Sequence, residues 1–312
     1  MSVGANIKQR RFELRMTQQE LAEAMGYKTR STIAKIESEE NDVSQRKLQK
    51  FAAVLETTPE ALLGGATVRT VGAPVFEGAR DHRTAVIILA GGKTMGNRQN
   101  IPSQFISVHG KPVLVYSLEV YQQHPAVDDI VVVCLRGWED IVKAYARQYG
   151  ITKLRLLVTG GSSGVASLKN GVEQLKEYTA EDVVIVQEAT RPMVTVETVS
   201  SLLRACAESG SATICHSMSQ YVQFDISGGK AAYVNRDALI ALQSPEAHRM
   251  GLLRAVFAEV QQLNHPMTES CFTMLLHGLG HPINFVESSV NNIKLAREED
   301  LAAFGALVRK SG

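Results

Sequence analysis

Two places in the chain combine residue types that could do chemistry. The first is Leu-Ala-Gly-Gly-Lys-Thr-Met-Gly-Asn at 89–97, directly after a β-branched run. Glycines after a strand let backbone N–H groups approach a phosphate, so Gly91 and Gly92 are candidate phosphate contacts. The run is not a P-loop, because that motif would need glycine at 87 and Ile87 lies inside the strand pattern. The dinucleotide fingerprint G-x-G-x-x-G is absent too, and no acidic residue ends the second strand to hold a ribose. The second place is the segment up to Glu37. Its basic residues are Lys8, Arg10, Arg11, Arg15, Lys28, Arg30 and Lys35, and its acids are Glu13, Glu20, Glu23 and Glu37, a balance of +3 that phosphates would favour. His109, His216, His248, His265, His277 and His281 show no metal-ligand spacing and read as surface or core residues. Trp138 reads as a packing residue.

The elements that must position these groups differ between the two ends of the chain. Thr17 is a good N-cap, and Glu20 completes a capping box with it. Leu21, Ala22 and Met25 give that helix a buried face, and Gly26 allows a sharp turn. A further helix over 30–38 buries Ile33 and Ile36 and leaves Arg30, Ser31, Thr32 and Lys35 outward. Two short helices joined at a glycine turn, the second basic outside, describe a helix-turn-helix. From Thr84 the texture changes. Runs at 84–90, 129–135, 153–158, 182–187 and 211–217 alternate with helical stretches, which predicts a parallel sheet with crossover helices. The glycine-rich segment at 64–83 has no period and reads as a linker low in helix and strand. The expected domains are therefore 1–65, a linker at 66–83, and 84–312.

Composition bounds the function class. Lys plus Arg number 33 and Asp plus Glu 32, so a net charge of +1 excludes binding to nucleic acid or membrane by bulk charge and leaves room for a local basic face. Hydrophobic residues make up 45% of 312, with no apolar run long enough for a membrane span and no signal peptide pattern. Four scattered cysteines read as reduced thiols, and the expected location is the cytoplasm.

Residues 4–64, with T-Q-Q-E-L-A, the Gly26 turn, R-S-T-I-A-K-I-E and T-P-E-A-L-L in order, resemble the Cro/C1-type (XRE) DNA-binding domain. The resemblance implies an all-α, five-helix unit whose third helix enters the major groove of an operator. Gln18, Lys28, Thr29, Arg30, Ser31, Thr32 and Lys35 would then face double-stranded DNA. One departure is the acidic run at 37–42, Glu-Ser-Glu-Glu-Asn-Asp, which near phosphates should weaken binding.

Residues 84–310 resemble the polyol-phosphate cytidylyltransferases, the methylerythritol-phosphate and ribitol-phosphate enzymes. The motifs in order are LAGG, PSQF, TGGSSGVAS, VIVQEATRP, VNRDALIALQSPEA, MTES and NNIKLAREEDL. The resemblance implies an α/β Rossmann-like nucleotidyltransferase (GT-A-like) domain with a projecting β-arm near 219–234, turning at 226–230. It implies nucleotide contacts from Ala90, Gly91, Gly92, Gln104, Gly161, Ser167, Ala189, Arg191 and Lys294, the last two facing phosphate. Family members join CTP to a polyol phosphate with Mg²⁺. Here the family's first loop is about two residues short and lacks its Arg, its P-K-Q lysine is Ser103, and its second-loop Arg is Gly164. Its metal carboxylate appears at Gln187-Glu188, its T-D-D as Thr268-Glu269-Ser270 and its T-P-Q as Ser244-Pro245-Glu246. No metal site or cofactor is assigned; Glu188 is the residue that could ligate one, and Mg²⁺ with CTP would be required if transfer occurs. Lys93, Arg98 or Lys169 could replace the lost cations, and Arg191 and Lys294 could instead pair with local carboxylates.

The expected function is a regulator whose degenerate cytidylyltransferase-like domain binds a nucleotide or polyol-phosphate ligand and forms a homodimer, with no membrane partner. The alternatives are an active cytidylyltransferase with an appended DNA-binding domain, in which Lys294 and Arg191 would serve catalysis, and a scaffold with an empty cleft.

Overall fold

The computed structural model describes residues 3–14, 16–27, 29–38, 41, 43–55, 57, 59–62, 68–69, 81–92, 101–218, 222–227, 229 and 231–310. The chain divides into two compact units, Met1–Arg69 and Thr70–Gly312.

The first unit is helical: α1 (Val3–Glu13), α2 (Gln18–Met25), α3 (Arg30–Glu37), α4 (Gln45–Val54) and α5 (Pro59–Leu62). The capping box forms as its residues predict. The Thr17 hydroxyl accepts from the Glu20 N–H at 3.2 Å, and the Glu20 carboxylate accepts from the Thr17 N–H at 2.6 Å. Gly26 ends α2 at φ 75°, a left-handed turn that favours glycine. Ile7, Leu21, Met25, Ile33, Ile36 and Phe51 form the core of this unit. Of the linker, a two-residue strand β1 (Val68–Arg69) is present, and 66–67 and 70–80 lie outside the described residues.

The second unit begins with β2 (Thr84–Ala90), the short pair β3 (Ser107–Val108) and β4 (Lys111–Pro112), and α6 (Val113–Gln123). It continues through β5 (Asp129–Cys134), α7 (Glu139–Gln148), β6 (Leu154–Thr159), α8 (Gly164–Gln174), β7 (Val183–Glu188), α9 (Val196–Ser209) and β8 (Ser211–Ser217). A separate hairpin, β9 (Gln223–Asp225) and β10 (Ala232–Val234), precedes β11 (Ile240–Arg249), α10 (Met250–Gln262), α11 (Phe272–Gly278), β12 (Phe285–Glu287) and α12 (Glu298–Lys310). Within this unit the sheet order is β12-β8-β11-β7-β2-β5-β6. β2 carries an unbroken apolar run because both faces are covered. Val86 and Ile88 pack on one side with Leu114, Tyr121 and Leu202; Ala85 and Ile87 pack on the other with Leu168, Leu253 and Phe272.

One strand departs from the expected parallel sheet. β11 runs antiparallel to both β7 and β8. Its register against β8 shifts between Leu242 and Glu246, where Ser244-Pro245 interrupts the ladder. A proline normally demotes a run from strand status, and the bulge accommodates it here. The expected arm is present as the β9–β10 hairpin, with Phe224 opposite Tyr233; residues 219–221, 228 and 230 of it lie outside the described residues. All four cysteines are free. Trp138 stacks on Phe105 at 4.2 Å, a packing role. Among the described residues no helix is long and apolar enough to cross a membrane.

Candidate functional site

Parallel strands leave their carboxyl ends on one edge of the sheet, and the loops there carry the predicted ligand groups. Gly91 and Gly92 follow β2, and Gly160 and Gly161 follow β6. The two loops touch through backbone: a Cβ on Gly91 would lie 3.7 Å from the Gly160 Cα. Gly161 has no room for a side chain, since a Cβ would sit 2.7 Å from that of Ala166. This close approach lets the Gly161 N–H donate to the Ser167 hydroxyl at 3.0 Å. Gln104 is buried, and its amide donates to the carbonyls of Ala90 at 2.7 Å and Gly92 at 3.0 Å. It therefore holds the loop. Ala189 is buried and donates its N–H to Leu89 at 3.0 Å, tying the β7 end to the same edge. Ala90, Gly91, Gly92, Gln104, Gly161 and Ser167 thus come together as one cradle. Lys93 and Arg98 lie outside the described residues.

The remaining charged residues meet at the end of β7. Arg191 Nε lies 2.7 Å from Glu188 Oε2, and Lys294 Nζ pairs with Glu188 Oε1. Arg191 Nη1 also donates to the Asn292 carbonyl at 2.9 Å. Burial alone would raise the Glu188 carboxyl, but Lys294 and Arg191 outweigh it and hold it below its ordinary value. Arg191 and Lys294 are therefore paired with a local carboxylate, and with the same one. Each Glu188 oxygen already faces a cation, so a divalent ion at this carboxylate would meet like charge. A metal ion there would have to compete with these two cations. Among the described residues, no group of three His, Cys, Asp or Glu could hold a metal ion.

A cavity of about 160 Å³ adjoins the trio, running from Glu188, Arg191 and Lys294 to Gly164 and Leu168 on α8. Gly164, where the family carries an Arg, is closed. A Cβ there would fall onto the Ser270 carbonyl group, 2.7 Å from its carbon. Segment 267–271 is docked on the start of α8. The Ser163 hydroxyl donates to the Met267 carbonyl at 2.6 Å, and the Val165 N–H to that of Glu269 at 3.3 Å. Ser103, standing where the family has a lysine, is buried.

Sequence reasoning missed the role of Glu246. The N-cap of α11 is Cys271, which makes no side-chain cap. Glu246 supplies one from β11, accepting the N–H groups of Phe272 and Thr273 at 2.9 Å each and the Thr273 hydroxyl at 2.5 Å. A helix start without Ser, Thr, Asp or Asn was the available signal for a remote carboxylate.

On the helical unit, Thr29, Arg30, Ser31 and Lys35 are exposed, and Thr32 is half-buried on the same helix. The Thr29 and Ser31 hydroxyls lie 2.7 Å apart. Lys28 lies outside the described residues. The acidic run needs a correction at its first residue. Glu37 is buried, paired with Arg11 at 2.6 Å, and accepts from Gln18 Nε2 at 2.9 Å. It therefore braces α1, α2 and α3 and is not set against the phosphates. Withdrawing Arg11 and Glu37 together leaves the +3 balance unchanged.

A helix-turn-helix unit followed by a mixed α/β sheet, with a glycine cradle at the ends of its parallel strands, defines a nucleotidyltransferase-type chain with a DNA-binding motif in front. Residues 84–310 match the family model described as 2-C-methyl-D-erythritol 4-phosphate cytidylyltransferase, and residues 7–62 match a helix-turn-helix model. The chain belongs to that cytidylyltransferase family. It is 33% identical over 231 residues to a ribitol-5-phosphate cytidylyltransferase of Lacticaseibacillus paracasei, spanning 73% of this chain and 98% of that protein. A 2-C-methyl-D-erythritol 4-phosphate cytidylyltransferase of Alkaliphilus metalliredigens is 29% identical over 221 residues, 70% of this chain and 89% of that one. In fold, the 4-diphosphocytidyl-2C-methyl-D-erythritol synthase of Anaerococcus prevotii superposes with a TM-score of 0.63 at 20% identity, covering 73% of this chain and 99% of that structure.

Proposed function

We propose that the protein is a cytoplasmic transcription regulator that reads DNA with its helix-turn-helix and binds a nucleotide or polyol-phosphate ligand in a cytidylyltransferase fold that no longer transfers efficiently. The observation that carries this reading is the closure at Gly164, where the resemblance would put a cation: a Cβ there would meet the Ser270 backbone. Nucleotidyl transfer relies on cations facing the charge that develops on the triphosphate, and Ser103 and Gly164 supply none. The cradle of Gly91, Gly161 and Ser167 supports retention of a ligand. The DNA contacts are assigned to Gln18, Lys28, Thr29, Arg30, Ser31, Thr32 and Lys35.

Selection of genomic fragments with purified full-length protein tests the DNA half. One sequence class should be enriched, and Arg30→Ala should relax specificity as well as affinity, since a direct base contact is worth about 1–3 kcal/mol. Enrichment of nothing at low salt would refute it. The selected operator is then titrated with and without CTP and polyol phosphates. A shift of about 5–150-fold, matched by an equal shift of ligand affinity on adding operator, is expected for a sensor. A ligand that binds tightly and leaves operator affinity unchanged refutes the sensor half.

The β9–β10 hairpin supports a homodimer. Phe224 and Tyr233, stacked edge to face at 6.2 Å, stay exposed together with Val222 and Ile226. Such a cluster on a thin hairpin is stabilised when a second copy covers it. Deleting residues 219–234 should leave monomers by sedimentation and weaken operator binding. A full-length protein that is itself monomeric at micromolar concentration contradicts this.

The second reading is a working cytidylyltransferase with an appended DNA-binding unit. It is favoured by the 33% identity over 98% of the ribitol-5-phosphate cytidylyltransferase, and it parts from the first in the rate of pyrophosphate release.

A further inference from the structure

The cavity beside the trio has a lining that does not suit a polyol. Its walls are Leu89, Leu168, Val186 and Phe272, and Leu242 and Met274 stand at partly exposed positions beside them. Four of the polar side chains that border it are already engaged, and Thr213 borders it as well. Gln243 Nε2 contacts His216 at 3.0 Å, the Ser244 hydroxyl accepts the Glu188 N–H at 3.0 Å, and the Ser270 hydroxyl donates to Met274 Sδ at 3.3 Å. The Glu246 carboxylate is taken up by the start of α11. A chain of hydroxyls entering here would leave most of them unpaired, and each one buried without a partner costs roughly tenfold in affinity. The volume of about 160 Å³ also lies below the ~300–1,000 Å³ of ordinary ligand pockets, so the cavity suits a small ligand. One end is nevertheless cationic, because Glu188, Arg191 and Lys294 together keep one net positive charge.

We infer that this cavity takes a phosphate monoester with a short apolar body, its phosphate at Lys294 and Arg191 and its carbon chain against Leu168, Val186 and Phe272. The inference rests on the ligand-binding reading above and narrows it: the phosphate is kept and the polyol is not.

Calorimetric titration of the full chain with inorganic phosphate, ethyl, propyl and butyl phosphate, and ribitol 5-phosphate tests it. Affinity should rise about fourfold per added methylene, and ribitol 5-phosphate should bind more weakly than butyl phosphate. Lys294→Ala should weaken the whole alkyl series. Met274→Gln, at a half-exposed position, should reduce the gain per methylene while leaving inorganic phosphate unchanged. A flat series, or ribitol 5-phosphate binding more tightly than butyl phosphate, overturns the inference and leaves the ligand-binding reading standing. If neither the phosphates nor CTP bind, both fail.

Discussion

Full-length protein supplied with CTP, Mg²⁺ and ribitol, erythritol or glycerol phosphate is expected to release pyrophosphate at least about 10³-fold more slowly than the ~10 s⁻¹ of a typical enzyme. Losing one well-placed transition-state contact costs a factor of about 10²–10³, and on the regulator reading this chain has more than one such loss. Ser103 and Gly164 stand where the family places cations, and Arg191 and Lys294 are held by Glu188. An anion approaching Glu188, Arg191 and Lys294 meets one net positive charge. The Glu188 carboxyl is held below its ordinary value by those same cations, so it stays charged at neutral pH and the pairing persists. A coupled pyrophosphatase assay gives the rate directly. Turnover of about 1 s⁻¹ or more with any of the three acceptors would establish the enzyme reading in place of the regulator.

Replacing Glu37 by Ala is expected to unfold the DNA-binding unit or bring it close to unfolding. Arg11 and Glu37 are 4% and 8% exposed and share two hydrogen bonds, at 2.6 and 3.0 Å. A third bond runs from Arg11 Nη1 to the Met16 carbonyl at 2.7 Å. Removing the carboxylate leaves a buried guanidinium without a counter-charge, which costs about 3–5 kcal/mol. Whole domains hold only about 5–15 kcal/mol, and small ones sit at the low end. The thermal transition of this unit should fall by roughly 15–30 °C in calorimetry of the full chain. A fall of only a few degrees would show the pair to be dispensable. Arg11→Met combined with Glu37→Leu should recover much of the stability, because a packed apolar pair matches a buried ion pair. It should not recover operator binding in full, since Gln18 loses the acceptor that orients its amide.

The periodicity of the residues carried most of the fold. The run at 211–217 is the strand Ser211–Ser217, and the run at 84–90 is Thr84–Ala90, whose apolar stretch follows from burial on both faces. Thr17, Glu20 and Gly26 announced a helix by chemistry that acts within a few residues. β11 was hidden because Ser244-Pro245 breaks its pattern and its direction is set by strands far away in sequence. The candidate site divides along the same line. The glycines and Ser167 were readable, since close backbone approach leaves a mark in residue type. That Arg191 and Lys294 could pair with a local carboxylate was readable as one of two alternatives, but that both would meet at Glu188, and that Glu37 turns inward, was not. A charge in a sequence carries no direction, and only tertiary packing decides which way it faces.

The closure at Gly164 makes the present state hard to leave by small steps. An arginine introduced there alone would meet the Ser270 backbone before it could reach any phosphate. A change that loosened segment 267–271 alone would forfeit the bonds from Ser163 and Val165 and gain no cation. Each step is unfavourable without the other, so their effects are strongly non-additive. On the regulator reading, a lineage that had passed this point would find the way back barred, and selection would act on what the cleft binds.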